Sequence, residues 1–152
     1  MKHNNPQVQA VLDLMAKHMS TDEHIYTQEK FDILAEAFSN LYIRDEILGL
    51  AVIHELQPQD ENSWFTKKEL REFIREYAQV APDGERAHPS IVASIAYYLH
   101  GGIPQSKRMY ENCLEDDANN TLASLFMKML QRGFKDETIV DTIKLALSMP
   151  RS

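Results

Sequence analysis

"YLHGGIPQSKRMYENCLEDDANN", residues 98–120, decides how the rest of the chain is read. Leading into it, Ile91, Val92, Ile95 and Leu99 recur at helical spacing and end at Gly101-Gly102. Pro104 then opens a second run, with Met109, Tyr110, Cys113 and Leu114 on one face. Glycine supplies the left-handed residue that ends a helix, and proline fits the first turn of the next. The stretch therefore predicts two helices folded back on each other across a Gly-Gly-Ile-Pro bend.

The same period runs outward in both directions. Asn119 or Asn120 caps a helix whose inward stripe is Leu122, Leu125, Phe126, Met129 and Leu130, stopped by Gly133. Asp136 starts a last helix holding Ile139, Val140, Ile143 and Leu147. Towards the N-terminus, Asn5-Pro6 begins a helix with Val8, Val11, Leu12, Met15 and Met19 inward. Thr27 caps the next, stapled by Tyr26 on Phe31, with Leu34, Ala35, Phe38 and Leu41 along one face. A third starts near Ile43 or Arg44 and turns Ile47, Leu48, Ala51 and Val52 inward. Thr66 and Glu69 form a capping box, with Phe65 and Leu70 as its staple, ahead of a stripe of Leu70, Phe73, Ile74 and Tyr77. No run alternates with period two long enough to be a strand. The expected fold is all-α, a single globular bundle of about eight short helices over 1–152, with short loops that set neighbours antiparallel or at steep angles.

A chain of 152 residues is the size of one domain and needs no disulfide or metal to be stable. Cys113 is the only cysteine, which excludes an internal disulfide and a cysteine-based zinc site. The N-terminus lacks the apolar run of a secretory signal, and the longest apolar patch, "ILGLAVI" at 47–53, is too short to span a membrane. A cytoplasmic location is the expectation. With 23 acidic against 16 basic residues the net charge is −7, which repels phosphate and argues against nucleic acid as a partner. The basic residues of "KKELREFIRE" (67–76) are interleaved with Glu69, Glu72 and Glu76, a solvated face and not a basic stripe.

No motif identifies a catalytic centre. The six histidines form no His-x-x-x-His pair, and "HELQP" (54–58) lacks the second histidine of a zinc helix. His54 and His100 lie where a histidine meets a helix C-terminus favourably. "EDDANN" (115–120) lacks the glycine and closing glutamate of a calcium loop. Gly101-Gly102 ends a helix where a phosphate loop would open one, and Cys113 sits on an inward face as a small hydrophobe. No catalytic residue, metal ligand or cofactor is expected. Arg44 and Asp45, with Arg86, read as a structural polar cluster, an arginine clamped to a neighbouring carboxylate.

Two resemblances add to this. From His88 onward the hairpin resembles a tetratricopeptide repeat. Tyr97 stands for the first-helix aromatic, Gly101 for the turn and Ser106 for the small crossing residue. Tyr110 then stands for the second-helix aromatic, and Cys113-Leu114 for the small-then-large pair. Ser94 stands where glycine or alanine is usual, Ala118 replaces a proline, and the leading tryptophan is absent. There is one copy only, where a solenoid needs at least three, so an ordinary hairpin within a globular domain is the plainer reading. On this hairpin His88, Ile91, Ile95 and Tyr98 would form the groove face and bind an apolar or aromatic partner.

Three stretches, "LYIRDEILGLAV" (41–52), "APDGERAHPSIVASIAYYLHGG" (81–102) and "MYENCLEDDANNTLASLFMKMLQRGF" (109–134), by their order and spacing resemble the C-terminal half of the domain of unknown function family 4192, found in actinobacteria. Arg44-Asp45, Arg86-Ala87-His88, Gly101-Gly102, Asp117-Ala118 and Ala123-Ser124-Leu125 carry that resemblance; His88 stands where the family has proline. The resemblance implies a helical half standing alone, or a short relative, and implies no activity. The resulting expectation is an interaction or scaffold module. An enzyme with an Asp/Glu/His site between helices is the alternative, and homodimerisation through the 122–130 stripe is a further possibility.

Overall fold

Helix boundaries in this chain are set by side chains that satisfy the backbone at each end. The structure, a computed structural model, describes residues 5–19, 26–52 and 67–148. These form eight helices and, among the described residues, no strand: α1 (Pro6–Met19), α2 (Gln28–Ser39), α3 (Leu41–Val52), α4 (Lys67–Val80), α5 (Ala87–Leu99), α6 (Ile103–Asp116), α7 (Thr121–Gln131) and α8 (Asp136–Ser148). Asn5 Oδ1 accepts from Gln7 N at 2.9 Å at the start of α1, Thr27 Oγ1 accepts from Lys30 N at 3.3 Å, and Asn120 Oδ1 accepts from Ala123 N at 3.0 Å. Tyr26 stacks on Phe31 with centroids 5.5 Å apart, as the staple predicts. Gly101 and Gly133, both at positive φ, close Schellman turns: the next residue's N–H reaches Tyr97 O at 2.7 Å in one and Met129 O at 3.1 Å in the other.

One expectation about a boundary is corrected. Asn40 interrupts the second helical run: its Oδ1 accepts from Tyr42 N at 3.0 Å and caps α3, so that helix starts at Leu41 instead of near Ile43. Leu41 consequently leaves the α2 face and is 50% exposed. His54, Phe65 and Thr66 lie outside the described residues, as do the side chains of Met19 and Leu147.

Helix α5 is the centre of the bundle. It packs against α3, α4, α6 and α7, and nearly every residue from Ala87 to Ala96 is buried. The α5–α6 contact is the tightest, and serine is the reason. Ser94 Oγ donates to Ser106 O at 2.8 Å, and Ser106 Oγ donates to Ser94 O at 2.7 Å, so two small side chains each satisfy themselves on the opposite backbone. Asn112 extends the seam, donating to Ser90 Oγ at 2.7 Å and Ala78 O at 3.2 Å. Asp116, at the end of α6, caps the start of α5: its carboxylate accepts from Arg86 N at 2.9 Å, Ala87 N at 3.0 Å and also Gly84 N.

A second buried polar group joins α1, α2 and α4. His18 Nδ1 accepts from Lys30 Nζ at 3.2 Å, which leaves the ring proton on Nε2 to donate to Glu76 Oε1 at 3.3 Å. Its ring lies edge-on to Phe73 and tilted against Tyr26. A buried ring with both nitrogens paired ties three helices together.

Candidate functional site

Around α3, α5, α7 and α8 the packing does not close. A cavity of about 470 Å³ lies there, with an apolar wall that includes Leu41, Leu48, Ile95, Leu122, Leu125 and Ile143. Its polar wall holds Arg44, Asp45, His88, Asp117 and Asn120. Four of these come from three separate elements: Arg44 and Asp45 from α3, His88 from the first turn of α5, and Asp117 from the turn after α6.

Arg44 organises the polar side. Its Nε donates to Asp45 Oδ1 at 2.9 Å and a terminal nitrogen lies 2.8 Å from the same oxygen, with both residues buried. The other terminal nitrogen donates to His88 Nδ1 at 3.2 Å. Arginine has no acceptor, so this bond fixes the neutral His88 tautomer with its proton on Nε2. Burial lowers the His88 pKa, and the Arg44 charge lowers it further, against the opposing pull of Asp117, Asp45 and Asp116. His88 thus presents an N–H donor at the cavity wall.

The mouth is unusually apolar. Leu41 is 50% and Leu125 42% exposed. A helix of the bundle that carried Leu125 inward would have closed this side; α7 instead turns Ala123, Phe126 and Met129 inward and leaves Leu125 at the rim.

The residues singled out in the sequence are therefore redistributed. Arg44 and Asp45 do form the clamp expected of them. Arg86 does not join it. As the residue before α5, its side chain turns back to the preceding loop, where Nε donates to Ala81 O and a terminal nitrogen lies 3.3 Å from Asp83. It borders a separate polar recess with Asp83, Asn112, Glu115 and Asp116. His88, the second residue of α5, takes its place beside Arg44. The groove face expected of His88, Ile91, Ile95 and Tyr98 is also corrected, because α5 is covered on all sides. Ile91 is in the core, Tyr98 packs edge-on against Phe126 at 5.6 Å, and only His88 and Ile95 reach the cavity. Thr142 and Asp117 belong to the wall and were not expected as site residues, while Leu122 and Leu125 belong to the 122–130 stripe expected to face inward or to self-associate. The available signal was the 122–130 stripe, of which α7 buries Ala123, Phe126 and Met129.

Cys113 is buried, and burial together with Asp117 and Asp116 pushes its thiol up to about 12, a protonated and unreactive side chain. Among the described residues no group of three His, Cys, Asp or Glu side chains is placed to hold a metal ion, and no helix is long and apolar enough to cross a membrane. No protein-family model, curated protein or solved structure matches the chain.

Proposed function

We propose that this chain is a protein–protein interaction module, and that its partner docks on the apolar mouth formed by α3, α7 and α8. The observation behind this reading is the pair Leu41 and Leu125 on the wall of one cavity, each at least 42% exposed. Single exposed leucines need no explanation, but two on one concavity with an aliphatic wall fit the usual anatomy of a contact site, an apolar centre with a polar edge. A reducing cytoplasm suits a chain whose one cysteine is a buried thiol. We also keep the relationship to family 4192 as a proposal. Its three stretches supply Arg44-Asp45, His88, and Asp117 with Leu125, all of which line the same cavity.

Leu125→Glu and Ile103→Glu test the docking surface together. Ile103 is as exposed as Leu125 but sits at the start of α6, on the hairpin. Capture from native lysate with each variant, quantified by mass spectrometry, is expected to lose the same protein with Leu125→Glu only. Loss with both, or with neither, contradicts the assignment.

The second reading is a small enzyme, favoured by a neutral histidine held between an arginine and a cavity. A metabolite that raises the melting temperature of wild type but not of His88→Gln would support it.

A further inference from the structure

The docking surface concerns the mouth; the cavity beneath it has chemistry of its own. We infer that the cavity between α3, α5, α7 and α8 binds a small, uncharged, largely apolar molecule carrying one hydrogen-bond-accepting oxygen, which takes the His88 Nε2–H. This goes beyond the interaction reading and does not depend on it.

Size is the first ground. About 470 Å³ falls within the roughly 300–1,000 Å³ of sites that enclose small ligands. The second is the wall, which is aliphatic over most of its extent, from Leu48 and Ile95 on one side to Leu122 and Ile143 on the other. The third is the state of each charge. The Arg44 guanidinium is matched by Asp45 at 2.8–2.9 Å and bonded to His88 at 3.2 Å. Asp117 accepts from Asn119 N at 3.2 Å and lies 3.5 Å from Asn120 Nδ2. Asp116, the remaining carboxylate near His88, is spent on three backbone N–H groups. An anion would leave water with the one wall cation already paired, the costliest arrangement a cavity can offer. A cation would have to compete with the N–H groups that Asp117 already accepts from.

A ring donor is left over. His88 Nδ1 is occupied by Arg44, and its Nε2–H donates to no described residue. Thr142, by contrast, turns its hydroxyl back to Thr138 O at 2.8 Å and adds no second demand. Thr121 stands at the exposed end of the wall, so it is the half-buried His88 N–H that asks for an acceptor on an apolar body, as a ketone, ester or amide supplies.

The test compares 2-octanone, octanoate and octylammonium, which share a chain length and differ in the head. Each is titrated into the full chain while backbone amide NMR shifts are followed at Leu48, Thr121, Leu125 and Thr142. The expected result is binding of 2-octanone at least about tenfold tighter than either ion. His88→Phe, which removes the donor, is expected to weaken the ketone about fivefold, whereas His88→Gln, which keeps an N–H, holds it. Equal or tighter binding of an ion, no binding of the ketone at these residues, or an unchanged ketone affinity in His88→Phe each overturns the inference. The wild-type comparison stands by itself if His88→Phe fails to fold.

Discussion

The α5–α6 hairpin and the α3–α7–α8 mouth are built from similar helices and end in opposite states. In the hairpin, two serines let the helices touch and every polar atom at the crossing is paired across it. At the mouth, a buried arginine and aspartate fill the space between helices with polar bulk, and leucines that could have closed it stay at the rim. A small polar pair seals a crossing, whereas a large one props it apart. The capacity to bind accordingly sits at the propped side, even though the hairpin carries the more recognisable sequence.

Ser94→Leu should break this contrast most severely. It forces a large side chain into a crossing with no space and leaves the Ser106 carbonyl without its cross-helix donor. The expected loss is about 3–5 kcal/mol in a urea unfolding titration. Asp116→Ala attacks the other end of the same hairpin by orphaning three N–H groups at the start of α5, with an expected loss of about 2–3 kcal/mol. Asp116→Asn, which keeps one acceptor oxygen, should lie between the variant and wild type.

The smallest effect is a pH dependence at the mouth. Because the folded state depresses the His88 pKa, the folded protein binds fewer protons there than the unfolded chain. The stability contribution is present above the ordinary histidine value of about 6.5 and is lost as pH falls through the lower folded value. Urea midpoints at pH 7.5 and 5.5 should therefore separate more for wild type than for His88→Gln. An equal separation would mean that His88 is not held neutral by its surroundings.

The helices were legible because their signals are local. Asn5-Pro6, Thr27, Asn120, Gly101 and Gly133 act on backbone groups within a few residues, and each does in the fold what its chemistry dictates. The site was legible only in pieces. Arg44-Asp45 is a neighbouring pair and could be read, but its third member depends on which way the chain enters α5. That choice turns Arg86 away and brings His88 in. The expected groove face failed for a related reason. Periodicity shows that Ile91 and Ile95 share a side of α5, but not that other helices surround that helix. Leu125 carried a signal as a member of the 122–130 stripe, and the partner that would cover it lies beyond what one chain's pattern encodes.

Site-specific photo-crosslinking compares the two regions most directly, because Leu125 and Ile103 are large, apolar and similarly exposed, at 42% and 51%. With a benzophenone side chain placed at each position in turn, and irradiation in cells, position 125 should give a discrete crosslinked protein band that position 103 does not. A discrete crosslink from 103 with none from 125 would contradict the account and return the binding surface to the hairpin.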